Sequence, residues 1–171
     1  IEFSHKLNAS ISFDNDTQVK VENTVANQLV AMGFNETMSN SLTKEDYIEL
    51  SDDLNGNFNV EMLNPLSSDL KVMRQSLLFS GLESIAYNIN RKNNSLKFFE
   101  FGKTYHKFES GYDEQKHLTL FVTGNRVKDT WKLDNKVSDF FYLKGVLTSL
   151  FERLGLTNLK TSPVKSDVFS E

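Results

Sequence analysis

Apolar residues recur at helical spacing in three stretches of the chain. Val21, Val25, Leu29 and Met32 stand at i, i+4, i+8 and i+11 behind Asp14, Asn15, Asp16 and Thr17, which supply capping oxygens, and Gly33 ends the run. A second helix is predicted from Leu78, Leu82, Ile85 and Ile89, stopped by Arg91, Lys92, Asn93 and Asn94, whose cations complement the helix dipole. A third is predicted from Phe140, Leu143, Leu147, Leu150 and Leu154, capped by Ser138 or Asp139 and stopped by Gly155.

Between the helices the period shortens. Leu96 to Tyr105, with Phe98, Phe99 and Phe101, and His117 to Thr123, with Leu118, Leu120 and Val122, read as two strands turned around Gly111 within Glu109–Glu114, hence as an antiparallel pair. Shorter strands are expected at Glu36–Leu42, at Phe58, Val60 and Met62 before Asn64–Pro65, and between Leu156 and Pro163. The polar stretch Lys44–Asn59 reads as a loop or hairpin tip, and residues 125–136, with the lone Trp131, as a second loop. Residues 1–13, where Phe3, Leu7, Ile11 and Phe13 lie among polar neighbours, read as an arm or an edge strand. The mixed order excludes regular βαβ alternation and points to an α+β fold, an antiparallel sheet with helices on one side.

On a wheel the first helix carries two apolar stripes. Val19, Ala26 and Val30 lie roughly 130° from the first set. The second stripe fits either a deeply buried helix or one that meets another polypeptide, which makes Val19, Ala26 and Val30 the candidate interface.

Composition narrows the chemistry. The 171 residues suit one domain with an adequate core, since 39% are hydrophobic. Cysteine is absent, which removes thiol nucleophiles, cysteine-ligated metals and disulfides. A formal net charge of −4 argues against polyanion binding by the whole surface. Neither a membrane span nor a secretory signal is visible, so a cytoplasmic protein is expected, and a start at Ile1 suggests a piece of something longer.

Eight scattered glycines form no phosphate loop, His5, His106 and His117 show no metal-ligand spacing, and no serine-elbow motif is present. Asp52 and Asp53 are adjacent carboxylates in a polar loop, which suits a solvated tip. Arg74, between Val72 and Leu77, is an anion-binding candidate through its planar fork; the plainer alternative is an ion pair with Asp69 or Glu83.

Longer blocks carry a resemblance. Asn64-Pro65-Leu66-Ser67-Ser68-Asp69-Leu70-Lys71-Val72-Met73-Arg74-Gln75-Ser76-Leu77-Leu78, then Gly81-Leu82-Glu83, Asn88-Ile89-Asn90-Arg91 and Phe98-Phe99-Glu100-Phe101-Gly102-Lys103-Thr104-Tyr105, resemble the β chain of bacterial phenylalanine–tRNA ligase. Leu120 to Arg126, Trp131 and Asp139 to Leu147 continue the same order, and Val25 to Gly33, Phe34-Asn35-Glu36 and Asn40 to Thr43 fit its entry, so the likeness covers nearly the whole chain.

The resemblance implies a class II synthetase-like core, an antiparallel sheet flanked by helices, that is catalytically silent within an α2β2 enzyme. The α chain would hold ATP, magnesium and phenylalanine, and this module would dock it; tRNA would be bound through other parts of the β chain. A working class II site needs an arginine on its second-motif strand, a second arginine near the sheet's end, and acidic magnesium ligands. At the corresponding strand this chain has Phe99, Phe101 and Tyr105, with Lys103 the nearest cation and a second anion-binding candidate beside Arg74. The final helix of the class II core would lie beyond this chain. No catalytic, cofactor or metal residue is therefore expected here. The alternative is a free-standing synthetase-like domain that binds ATP or an amino acid through Arg74 and Lys103.

Overall fold

The computed structural model describes residues 17–51, 53–127, 136–157 and 159–162, apart from the side chain of Ser68. The arm at 1–13, the capping residues Asp14 to Asp16, His5, Asp52, Trp131 and Pro163 lie outside the described residues. Helix α1 (Thr17–Ala31) leads through Gly33, at φ +85°, into the two-residue strand β1 (Asn35–Glu36). Strands β2 (Leu42–Thr43) and β3 (Val72–Met73) pair antiparallel around 3-10 turns at Glu45–Leu50, Gly56–Phe58 and Ser68–Leu70. Helix α2 (Leu78–Ile89), strands β4 (Leu96–Phe108) and β5 (Gly111–Thr123), and helix α3 (Phe140–Arg153) follow.

The predicted antiparallel pair is present and longer than its apolar residues suggested. Strands β4 and β5 run 13 residues each and turn through Glu109 and Ser110, with Gly111 at φ +131°. The added rungs are mostly polar and largely exposed, with Phe108 packed on Phe58, and Lys103 holds Glu114 diagonally across the ladder at 2.7 Å. On the other edge of β4, β1 joins in parallel, Asn35 beside Phe98 and Glu36 beside Phe99, so the sheet is mixed, in order β1-β4-β5.

Helices cover both faces, rather than the one side expected. Alternation along β4 sends Phe99 and Phe101 toward α1 and α3, where they pack with Val25, Leu29, Phe34, Val146 and Leu150. Leu96 and Phe98 point the other way and, with Phe121, meet Leu78 and Ile85 of α2.

Which side of each helix is buried differs from the periodic expectation. In α2 the inward residues are Gly81 and Ile85, while Leu82 and Ile89 are about half exposed, because Phe121's ring lies where a Cβ at position 81 would stand, 2.0 Å from its Cζ. In α3 the buried positions are Val146 and Leu150 with Tyr142 beside them, a face turned roughly 80° from the one predicted. Phe140 is consequently exposed, and Leu143, Leu147 and Phe151 line an outer groove with Leu156 and Leu159. Asp139 is the N-cap, its carboxylate accepting from Tyr142 N at 2.7 Å, and Gly155 at φ +74° ends the helix.

The strands expected at Glu36–Leu42 and Phe58–Met62 shrink to β1, β2 and one bridge between Glu61 and Val72, and no strand occurs among the described residues after Leu156. Asn and Ser side chains explain the first case: Asn40 Oδ1 accepts from Leu42 N, and Ser39 bonds a side chain of β4 rather than a ladder. No helix among the described residues is long and apolar enough to cross a membrane.

Candidate functional site

The strand with the most informative chemistry is β4, and its centre holds a charge. Glu100 lies one residue from Phe99 but on the opposite face, toward α2. Its carboxylate takes Arg74 Nη1 at 2.8 Å on one oxygen and Ser39 Oγ at 2.7 Å on the other, with Ser39 N at 3.3 Å. Arg74 Nε donates to the Lys103 carbonyl at 3.0 Å and its Nη1 approaches the Asn40 carbonyl at 3.5 Å. The two side chains are 5% and 2% exposed.

Burial of two charges is tolerable when they are paired and further hydrogen bonds support each, as the Lys103 carbonyl supports Arg74 and Ser39 supports Glu100. Backbone geometry supports the contact. A Cβ on Gly102 would stand 2.4 Å from Arg74 Nη2 and 2.4 Å from Leu77 Cδ2, so only glycine lets the guanidinium lie against the strand.

Arg74 is thus neither paired with Asp69 nor with Glu83, the alternatives its sequence neighbourhood offered; its carboxylate is Glu100, 26 residues away. Glu83 belongs to a separate cluster, accepting from Lys44 Nζ at 3.2 Å and from the Tyr47 hydroxyl, while Tyr47's ring stacks on Phe79 at 4.7 Å. The Tyr47 hydrogen bond, with Lys44 nearby, holds the Glu83 carboxyl below its ordinary value against a smaller opposing effect of burial. The same carboxylate raises Lys44, and desolvation followed by the Glu83 bond raises Tyr47.

Farther along the face, Thr104 Oγ1 lies 3.0 Å from His117 Nε2, and these two with Gln75, His106, Gln115 and Thr119 border an open cavity of about 280 Å³. His106 stacks on Phe108. Lys103 leaves that face and binds Glu114, which raises its pKa. Arg74 and Lys103 are therefore not brought to a shared anion site: each closes on a carboxylate of this chain. Asp53 is exposed, and no group of three His, Asp or Glu among the described residues could hold a metal ion.

Of the candidate interface residues, Val19 and Val30 are 48% and 57% exposed on α1, while Ala26 is half-buried and packs on the core. The flank toward α3 is tied by Gln28, whose amide donates to Ser149 O at 3.0 Å and Oγ at 2.8 Å.

Sequence reasoning left Glu100 without a role. The signal was there, a carboxylate amid phenylalanines in a strand, since such a residue must meet a buried cation.

The profile described as the phenylalanyl-tRNA synthetase β chain CLM domain matches residues 7–170. The chain belongs to that family. Among curated relatives, the phenylalanine–tRNA ligase β subunit of Bacteroides thetaiotaomicron is 42% identical over 99% of this chain and 22% of its own length. That of Porphyromonas gingivalis is 35% identical over 91% and 20%, and that of Bacillus cereus 34% over 81% and 18%. The synthetase β domain thus spans about a fifth of the relatives it matches. Among solved structures, a pyrrolysyl-tRNA synthetase from Desulfitobacterium hafniense superposes with a TM-score of 0.61 at 16% identity, over 84% of this chain and 49% of that one. An ATP phosphoribosyltransferase regulatory subunit/histidyl-tRNA synthetase from Bacillus halodurans gives 0.58 at 11% identity, over 92% and 40%. Both likenesses support the α+β class II synthetase-like fold of this β-chain domain.

Proposed function

We propose that this domain is the catalytically silent class II core of a phenylalanine–tRNA ligase β subunit and that it docks the catalytic α subunit in an α2β2 enzyme. ATP and magnesium would be bound by the α subunit, and most of the tRNA by other parts of the β chain.

The observation that carries the reading is the Arg74–Glu100 pair. A nucleotide site needs a cation turned outward toward phosphate, whereas this guanidinium is spent on an internal carboxylate and sealed by Gly102 and Leu77. Phe99 fills the opposite face of the same strand. The donor set therefore does not fit ATP and magnesium. Docking is supported by α1, whose Val19 and Val30 sit outward on a helix whose other side is anchored by Val25 and Leu29.

The test is a full-length β chain with Val30→Glu, co-expressed with its α chain. Because Val30 is more than half exposed, the domain should fold normally, yet a charge forced into a packed interface should cost several kcal/mol of association. Loss of α–β co-purification and of phenylalanine-dependent ATP–pyrophosphate exchange is expected; unchanged assembly would sink the docking role.

A further inference from the structure

One end of the sheet gathers cations that the rest of the molecule does not neutralise. Elsewhere, Lys44, Lys71, Lys103 and Lys116 each close on a glutamate, whereas Lys107, Lys144, Arg153 and Lys160 stand singly, without an ion pair among the described residues. Arg91, Lys92, Lys97 and Lys136 make no ion pair among the described residues, although the whole chain is acidic.

Three separate segments meet there. Leu96 at the start of β4 is paired with Thr123 at the end of β5, which puts Lys97 beside the β5 exit. Thr123 Oγ1 donates to Asn94 O at 2.6 Å and Asn125 N to Ser95 Oγ at 3.0 Å, stitching the α2–β4 turn to that exit. Arg126 N then donates to Lys136 O at 2.8 Å. Arg91 and Lys92 stand in the same turn, the latter at φ +67°.

Aromatic rings alternate with these charges. Arg91's guanidinium lies 3.3 Å from the centre of the exposed Tyr87 ring, while Lys97 and Arg126 flank Tyr142 at 5.0 and 5.3 Å. Arg126 is the member that has a carboxylate, Asp139 at 2.8 Å. Cations with no carboxylate partner among the described residues, beside the exposed Tyr87 ring and the half-buried Tyr142 ring, form a surface that a phosphodiester chain fits, since phosphates take the charges and bases stack on π faces. A packed protein interface would instead be expected to desolvate such cations at a cost unless it matched each one.

We propose that this end of the domain contacts the phosphate backbone of the tRNA substrate. The inference rests on the reading above that the chain works within a phenylalanine–tRNA ligase, and it adds an RNA contact to a module whose role there is docking.

The test uses the ligase assembled from its α chain and a full-length β chain carrying Arg91→Gln and Lys92→Asn, the asparagine being tolerant of positive φ. Affinity for the cognate tRNA is measured across a salt series. The plot of log affinity against log salt should flatten by about one unit for each cation removed, and the KM for tRNA should rise, with phenylalanine-dependent ATP–pyrophosphate exchange unchanged. Lys136→Gln, outside every helix, should flatten it by about one unit and guards against a helix-end folding defect. An unaltered slope and affinity in both variants overturns the proposal. Loss of α–β assembly or of exchange also overturns it, because the patch would then face protein. Failure of the docking reading shows up separately, as a Val30→Glu enzyme that still assembles.

Discussion

Arg74 and Glu100 show how one contact can decide between a binding site and a structural strut. Each is buried, and each has hydrogen-bond partners beyond the other. Truncating one leaves the other charged in a poorly solvated place, so Glu100→Ala should cost about 3–5 kcal/mol, measured by denaturant unfolding of the domain. The double change Arg74→Met with Glu100→Leu should recover most of that loss, because no charge remains to be desolvated. A nucleotide-binding arginine would behave differently, its removal sparing stability and abolishing binding. At this scale the sequence was only partly legible. Arg74 stood out as a cation between apolar positions, but its partner came from a distant strand, and local spacing pointed to Asp69 and Glu83 instead.

The Lys44–Tyr47–Glu83 cluster has its own pH signature. A carboxyl held below its ordinary 4.5 contributes stability that is complete above that value and fades as pH falls through the lower folded-state pKa. Lys44 and Tyr47 are raised above 10.5 and 10.0, so their contributions are complete below those values and fade at higher pH. The denaturation midpoint of Glu83→Gln should therefore trail the parent by a constant amount at neutral pH, with the gap closing below about pH 4.5. A gap independent of pH down to pH 2 would remove the ionic explanation.

Elements were more readable in their existence than in their rotation. The three helices fall where apolar periodicity puts them, and Asp139 and Gly155 bound α3 as their chemistry requires. The buried faces of α2 and α3 were not readable, because a helix with apolar residues on two sides is oriented by what it meets. Gly81 makes the point. Alanine there should gain up to about 1 kcal/mol in helix propensity, yet its Cβ would collide with Phe121, and the expected outcome is a net loss of about 1–3 kcal/mol in thermal or denaturant unfolding. Asp139→Ala removes both the cap on Tyr142 N and the Arg126 pair and should cost about 1 kcal/mol by the same measurement. The polar ends of β4 and β5 escaped a reading based on hydrophobic alternation, since a hairpin that projects past its helices has no dry face to betray it.

For the whole molecule, the class of fold was legible and the layering was not. Collinear blocks identified the family, whereas the distribution of helices over both faces depended on side-chain parity along β4, with Phe99 on one side and Phe98 and Glu100 on the other. The rotation of α3 leaves Phe140 67% and Phe141 75% exposed beside the groove of Leu143, Leu147 and Leu159. Apolar patches of this kind bind hydrophobic probes. The isolated domain should enhance the fluorescence of an anilinonaphthalene dye, and Phe140→Ser with Phe141→Ser should reduce that signal while the unfolding midpoint stays within about 0.5 kcal/mol of the parent.

The short strand β1 ties α1 to the sheet. It follows the helix after Gly33 and is bonded to β4, with Thr37 N donating to Phe99 O at 2.8 Å, so the helix cannot swing without tearing the rung beneath it. Its outer valines are held like teeth on a key already cut. If the proposed docking holds, a subunit arriving at that edge would find nothing left to fold or reorient, the entropy usually lost in ordering a contact surface having been surrendered earlier, when the domain itself took shape.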